Sequence, residues 1–516
     1  MTTIGFWALA QENPERIAAI SPKGDVVPAG ELLASCNQVA RGLRAKGFSR
    51  GDKVAWVLPN CIEFLEMLMA VNQIGVYGIP INYHLTGPEI AYIIGDCEAK
   101  AFICHARYAD ACAKAVQDAG LPPESVFSVG GAVPGWSPFE ELKANQSTEL
   151  PENRSAGQTM LYTSGTTGRP KGVHRALSDH TPDEAAAFTS LLGALFDVEI
   201  GGGMHLLTGP LYHSAPILFG IGGLNLGQTL VMMDKWDAEQ TLQLIDSQKI
   251  TTAHMVPTMF HRMLSLPEET RAKYDVSSLK SIIHGAAPCP VEVKRRIIEW
   301  WGPVLYEYYG ATEGGGTMIK SQDWLDHPGS VGKPWPGVDI SIQDEEGNEL
   351  PEKEPGTIYM SSFVGEFNYY KDPEKTEGNR RAGLFTVGDI GYFEDGWLYL
   401  CDRKADMIIS GGVNIYPAET EAAILTHPKI ADVAVFGVPD EDWGESVKAV
   451  VQLYPGTEAS EECAQEIIDY CRERLAHYKC PRSVDFRNEL PRHPTGKLYK
   501  RLLRDEYWGG RKSRIV

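Results

Sequence analysis

The segment Thr163–Gly172 reads TSGTTGRPKG, and its residue types suit the holding of an anion. Thr163, Ser164, Thr166 and Thr167 offer hydroxyl donors, while Gly165, Gly168 and Gly172 leave backbone N–H groups open to a ligand that comes close. Lys171 adds a point charge. A polyphosphate would engage all three kinds of group. Taken alone, the same composition is equally that of a flexible surface turn. A Walker A loop is set aside on spacing, because it needs Lys directly after its last Gly and then Ser or Thr. Here Arg-Pro separates Gly168 from Lys171, and Gly172 follows.

Such a loop needs a frame. Lys53–Leu58 (KVAWVL) is a short apolar run ended by Pro-Asn, Cys61–Ile74 shows helical spacing, and Val76–Ile81 returns to strand character after Gly75. Similar units recur at 101–104, 205–207, 229–233 and 281–284, the last followed by a helical pattern over Val291–Trp300. This βαβ rhythm predicts an α/β fold with largely parallel sheets. Beyond Gly329, stretches such as VGKPWPG and FEDGWLYL suggest short antiparallel strands. After Arg403 a compact α+β pattern begins, with helix Pro417–His427 and strands Asp432–Val438 and Ser446–Leu453. The expected architecture is a large N-terminal domain with doubly wound sheets and a β-barrel-like region, then a small C-terminal α+β domain.

The bulk composition agrees with a multidomain globular enzyme. At 516 residues the chain exceeds one compact core. A net charge of −20 without a long Lys/Arg run argues against nucleic acid as a partner. Ten cysteines without CxxC spacing fit buried thiols in a reducing compartment, so a cytoplasmic location is expected. The N-terminus MTTIGFWALAQENPER lacks the pattern of a signal peptide. The apolar stretch Phe64–Ile81 is interrupted by Glu66, Asn72, Gln73 and Pro80, which predicts a buried helix and strand and no transmembrane segment.

TSGTTGRPKG resembles the phosphate loop of the ANL adenylating superfamily, which comprises acyl-CoA synthetases, peptide-synthetase adenylation domains and luciferases. Four further segments stand in that family's order: PLYHSAP (210–216), YYGATEG (308–314), TVGDIGYFEDGWLYLCDRKADMIISGGVNIYPAE (386–419) and PRHPTGK (491–497). Together they span nearly the whole chain. The resemblance implies an ATP- and acyl-binding domain over 1–402, a hinge at 403–405, and a mobile lid over 406–516 that carries Lys497. It implies ATP, Mg2+ and CoA as cofactor and co-substrates. Lys497 would bridge the carboxylate and phosphate oxygens; most lysines, by contrast, are simply solvated. Glu313 would organise magnesium, with Thr163 as a weaker member of that cluster. Tyr309 would stack on adenine, with Gly285, Ala286 and Ala287 making room for the ring, or it is an ordinary core aromatic. Glu307, Tyr308, Gly310, Ala311 and Thr312 fall in the same nucleotide-binding segment. Asp389 would accept both ribose hydroxyls beside Arg403; an Asp–Arg pair with no ligand is the plainer alternative.

The resemblance also narrows the branch. An amino-acid adenylating domain offers an Asp in the PLYHSAP region to meet the ammonium, whereas this segment offers His213 and no acid, and burying an unpaired ammonium is costly. His213 would gate the carboxylate and thiol sites, with Ser214 and Tyr308 shaping the acyl pocket; a satisfied core histidine is the alternative. Ser410, Gly411 and Gly412 match the segment that meets the pantetheine arm of CoA, or form a plain turn. The implied reaction joins a carboxylate to CoA through an acyl-adenylate. HGAAPCP and EYYGATEGGG resemble synthetases for fatty, bile or steroid side-chain acids more than aryl ligases. An aryl acid, or loading of a carrier protein, is the alternative. One departure stands out: Ala405 occupies the hinge position where relatives carry Lys or Asp, leaving Lys404 or Asp406 to substitute. A homodimer is compatible with the sequence.

Overall fold

The computed structural model describes residues 4–163, 169–187, 189–362, 365–492 and 498–509, with the backbone alone at 189, 190 and 192. The chain packs as two units, one of residues 1–255, 266–283 and 365–378, the other of 256–265, 284–364 and 379–516.

Two larger sheets frame the first unit, beside a small three-stranded one of Asn368–Tyr369, Lys171–His174 and Leu161–Thr163. In one of the larger two, the order is Ser137–Pro138, Val126–Val129, Ala101–His105, Lys53–Val57, Tyr77–Pro80, Gln158–Thr159. Every pairing in it is parallel. Parallel strands are reached by crossovers that cover both sheet faces. The strands therefore read as unbroken apolar runs, and Lys53–Val57 is buried from Val54 onward. Helix Ile62–Val71 is buried at every position from Phe64 to Val71, Glu66 included. The carboxylate of Glu66 accepts from Ser35 Oγ at 2.5 Å and pairs with Lys143 Nζ at 3.3 Å. The second sheet has the order Val26–Pro28, Ile17–Ile20, Thr229–Met232, Met204–Leu207, Thr252–Met255, Ser281–His284. Helix Ser214–Leu226 links two of these strands in sequence and ends at Gly227 in the left-handed region.

The second unit is the expected antiparallel region. Strands Leu305–Ala311, Gly314–Lys320, Ser330–Pro334, Trp397–Arg403, Asp389–Glu394 and Gly356–Met360 follow one another as neighbours, all paired antiparallel. Further along, the long hairpin Ile430–Asp440/Gly444–Leu453 is buried on both faces. Val433, Val435, Val447, Ala449 and Val451 belong to a core with Ile424 and Ile467, whereas Ala434, Phe436 and Val450 pack with Leu490 and Leu503. The period of two puts alternate residues into different cores, which explains the continuous run DVAVFGV. Helix Pro417–Ile424 stops three residues short of the sequence expectation, because Pro428 disfavours helix at His427.

One buried ion pair anchors the antiparallel region. Lys294, on helix Val291–Trp301, places Nζ 2.5 Å from Glu307 Oε2 and 4.6 Å from the centre of the Trp324 ring. Both charges are fully enclosed, so loss of either partner strands the other. Glu307→Leu is expected to cost about 3–5 kcal/mol in denaturant unfolding, and Lys294→Met/Glu307→Leu to recover most of it. Equal instability of single and double variants would sink that account.

In the first unit, His205 and His254 are buried, and burial holds their imidazoles down to about 4 and about 3 against an ordinary 6.5. The unfolded chain therefore takes up protons that the folded chain refuses. Stability is full above pH 6.5 and declines as pH falls from 6.5 towards 4, at about 2 kcal/mol per histidine by pH 5. The urea midpoint should fall between pH 7 and pH 5, and fall less in His254→Gln. An equal fall in the variant would exclude His254 as a source.

Candidate active site

In the first unit, strand Lys171–His174 pairs antiparallel with Leu161–Thr163, which sets Lys171 opposite Thr163. Lys171 Nζ lies 3.0 Å from Asp372 Oδ2. The Asp372 carboxylate also accepts the Lys375 N–H at 3.0 Å, at the start of helix Pro373–Gly378. That backbone bond first, and Lys171 second, hold the carboxyl below the usual carboxylate range. The hydrogen bond to Asp372 in turn pushes the Lys171 ammonium up. The cation of the loop thus carries a carboxylate partner. Ser164, Gly165, Thr166, Thr167 and Gly168 lie outside the described residues, as does Lys497.

His213 immediately precedes helix Ser214–Leu226, with its ring 4.3 Å from that of Tyr212. Tyr212 meets Tyr83 edge-on at 4.9 Å, and Tyr83 stacks on Tyr108 at 4.9 Å. Asn60 holds the backbone of this segment. Its Nδ2 donates to the carbonyls of Gly209 at 3.0 Å and Met233 at 2.9 Å, and its Oδ1 accepts the Leu211 N–H at 2.9 Å. Sequence reasoning missed this residue. The one available signal is the Pro-Asn that closes the strand at Val57.

In the second unit, strand Leu305–Ala311 points Glu307 and Tyr309 to one face and Tyr308 to the other. The Tyr309 hydroxyl donates to Asp389 Oδ2 at 2.8 Å. Arg403 Nε stands 3.4 Å from Asp389 Oδ1, directly across the hairpin of Asp389–Glu394 and Trp397–Arg403. Burial first, and then the Asp389 charge, push the Tyr309 phenol well up. Three residues singled out by sequence thus meet at one carboxylate.

Beside them Gly285 admits the Tyr308 side chain, since a Cβ there would fall 2.7 Å from the Tyr308 carbonyl oxygen and 2.8 Å from its ring. Ala286 adopts φ 67°, a left-handed conformation costing about 1–2 kcal/mol in a residue with a Cβ, and Ala287 follows it. Strained backbone of this kind clusters at ligand sites. Gly310 lies at a register shift between Tyr309/Thr317 and Ala311/Gly314. Thr312 and Glu313 make the tight turn between the two strands. Glu313 is buried, and its carbonyl accepts from Ser362 Oγ at 3.3 Å.

Ser410 ends strand Ile408–Ser410, which pairs with Val413–Ile415. Gly411 and Gly412 form the two-residue turn at φ 58° and 79°, the positive angles such a hairpin demands. The Gly411 N–H donates to the Trp443 carbonyl at 2.8 Å. At the expected hinge, the Ala405 carbonyl accepts from Arg504 Nη1 at 3.1 Å, and Lys404 Nζ lies 2.9 Å from Glu345. A side chain from elsewhere thus reaches the backbone where the sequence lacks a polar residue. Among the described residues, no group of three or more His, Cys, Asp or Glu is placed to hold a metal ion.

Residues 6–364 match the AMP-binding enzyme family and residues 419–497 its C-terminal domain. The chain belongs to the AMP-binding enzyme family. It is an acyl-CoA synthetase-type member of the ANL adenylating superfamily. It is 34% identical to a long-chain-fatty-acid–CoA ligase of Mycobacterium tuberculosis over 98% of this chain and 99% of that one. It is 30% identical to a fatty acid–[acyl-carrier-protein] ligase of Streptomyces coeruleorubidus over 97% of this chain and 95% of the other. The crystal structure of ATP-bound MatB from Rhodopseudomonas palustris superposes with a TM-score of 0.82 at 29% identity, covering 98% of this chain and 99% of MatB.

Within this AMP-binding enzyme, Asp389→Asn removes the charge that accepts the Tyr309 hydroxyl and pairs with Arg403. Charged hydrogen bonds contribute about 1.5–3 kcal/mol, so KM for ATP in pyrophosphate exchange is expected to rise roughly 10- to 100-fold. Tyr309→Phe, which removes only a neutral donor, should raise it less. An Asp389→Asn enzyme within two-fold of wild type would remove Asp389 from the nucleotide site.

Proposed function

We propose that this enzyme converts a bulky, largely apolar carboxylic acid, ATP and CoA into acyl-CoA, AMP and pyrophosphate. A carboxylate is a poor acyl donor because its oxygen is a poor leaving group. Attack of one carboxylate oxygen on the α-phosphorus forms a P–O bond and breaks the bond to pyrophosphate, giving an acyl-adenylate. The CoA thiol, losing its proton, then attacks the acyl carbon and expels AMP. The observation that carries the reading is the meeting of Tyr309 and Arg403 at Asp389, a ready acceptor for ribose hydroxyls in a chain whose family binds AMP.

Each remaining residue has a stated part. Lys171, Thr163 and the loop over Ser164–Gly168 hold the phosphates. Glu313, buried in the turn between two strands, would hold a magnesium ion, a cation that takes one or two carboxylates and keeps several waters. Bound there, the ion would supply charge neutralisation. Lys497, brought by a lid over 406–516 that turns about 403–405, offsets the charge of two anions as they approach. Ser410, Gly411 and Gly412 admit the pantetheine arm, and His213 stands over the acyl carboxylate. Proximity of thiol and adenylate contributes roughly 7–11 kcal/mol to the second step. The relative from Mycobacterium tuberculosis acts on long-chain fatty acids and supports an apolar acid.

Removal of a preorganised charge costs about 3–4 kcal/mol in the barrier. Lys497→Ala is therefore expected to slow acid-dependent pyrophosphate exchange several hundred-fold, while thioester formation from supplied acyl-adenylate stays within a few-fold of wild type. Equal loss in both halves would count against a lysine specific to the first step. AMP release that ignores CoA and responds to a carrier protein would replace CoA as acceptor.

A further inference from the structure

The long strand Ile430–Asp440 has Gly444–Leu453 along one side, and no described strand pairs with its other side. An edge of this kind leaves outward N–H groups that need acceptors. Two carboxylates supply them. Asp432 Oδ1 accepts the Val433 N–H at 2.8 Å, and Glu421 Oε1, from helix Pro417–Ile424, accepts the Val435 N–H at 2.7 Å. Each carboxylate is thereby fixed to the strand, with lone pairs left for a cation.

Both cations come from one short stretch of chain. Arg492 donates from Nε and Nη2 to the two oxygens of Asp432, a two-pronged geometry that fixes orientation as well as distance. Lys500 Nζ lies 2.9 Å from Glu421 Oε1. Between 11% and 18% of each of these four side chains is exposed, so salt and water screen the pairs little. Burial alone would pull the Lys500 ammonium down, but the charges of Glu421, Asp402 and Asp406 hold it above its ordinary value.

The two cations flank a narrow base. Arg492 and Leu498 form an antiparallel bridge, and the Tyr499 N–H donates to the Pro491 carbonyl at 2.8 Å. On either side of it, Leu490 and Leu503 pack with Ala434 and Phe436 of the same edge strand. Five residues, HPTGK, join Arg492 to Leu498, and Lys497 is the last of them. Both arms of that segment are therefore held, by charge and by packing, to one strand. Packing alone would not need the ion pairs. Apolar residues of similar volume would hold the arms without the desolvation of four charges. What the pairs add is direction. A cation that offsets charge in a transition state acts by standing in place beforehand, and a misplacement of about 1 Å costs on the order of 100-fold in rate.

We propose that Asp432 and Glu421 are positioning residues for Lys497: through Arg492 and Lys500 they hold the two arms of the segment that carries it, and so set it for formation of the acyl-adenylate. This rests on the reading of Lys497 as the cation of that first step. The second step, attack of the thiol, is indifferent to the clamp.

Pyrophosphate exchange, and thioester formation from supplied acyl-adenylate, test the proposal on the full-length protein. Asp432→Asn and Glu421→Gln should each slow exchange ten-fold or more and leave thioester formation within three-fold of wild type. In a Lys497→Ala background neither should slow exchange further. A pair that only supports the fold gives other results: parallel loss of both half-reactions, unchanged exchange, or a loss that multiplies with that of Lys497→Ala. Any of these would overturn the proposal. Where Asp432→Asn fails to fold, Arg492→Lys reads the same arm, because it keeps the charge and gives up the two-pronged bond. Lys497→Ala exchanging at the wild-type rate would defeat the reading of Lys497 and the clamp with it. A slow Lys497→Ala beside unchanged Asp432→Asn and Glu421→Gln would remove the positioning role alone.

Discussion

The carboxylate of Asp389, with the Tyr309 hydroxyl on one oxygen and Arg403 beside the other, is the constraint around which the second unit is arranged. Asp389 and Arg403 belong to a single hairpin, whereas Tyr309 comes from a strand 80 residues earlier. The carboxylate therefore fixes where that strand's inward face stands relative to the hairpin. A tyrosine hydroxyl buried without an acceptor costs about 1–3 kcal/mol, so the bond also selects the rotamer of the ring. The same strand directs Glu307 onto Lys294. One face thus carries a structural charge pair at one residue and the candidate adenine platform two residues later.

The first unit meets the same problem with Lys171 and Asp372. A polyphosphate site needs cations, yet a half-buried cation without a partner is unfavourable in the free protein. A carboxylate beside the ammonium offsets that cost until an anion competes for it. Asp372 is suited to such a part because a backbone N–H already stabilises its charge, leaving it less dependent on Lys171. In a chain of net charge −20, local pairing of this kind, and not a basic surface, would prepare the proposed phosphate site for an anion.

The α/β class, the individual strands and the antiparallel region were legible in the sequence because each follows from local periodicity. The runs KVAWVL and DVAVFGV declare strands buried on both faces, and Gly411-Gly412 declares a hairpin turn. Less legible were the residues that act across long stretches of chain. Asn60 holds the His213 segment from 149 residues away, through bonds to the Gly209 carbonyl and the Leu211 N–H that leave no periodic trace. Asp372 lies far along the chain from Lys171 and reads locally as a helix cap. Arg504 reaches the Ala405 carbonyl, a contact invisible to a comparison of side chains at the hinge. Tertiary hydrogen bonds to backbone atoms carry little sequence signature, since any carbonyl accepts them.

The two histidines show why motif and chemistry point in different directions. His213 stands out because it lies in PLYHSAP, whereas His205 sits in strand Met204–Leu207, outside any motif, and would pass for core. Yet His205 Nδ1 lies 2.9 Å from Thr252 Oγ1, which donates to Gln228 Oε1 at 3.1 Å, a polar relay enclosed among apolar side chains. It ties strand Met204–Leu207 to its parallel neighbour Thr252–Met255 through side chains that periodicity alone assigns to the core. A buried hydrogen bond left unmade costs more than a made one contributes, so the relay disfavours a slipped register between these strands, which apolar contacts alone would tolerate.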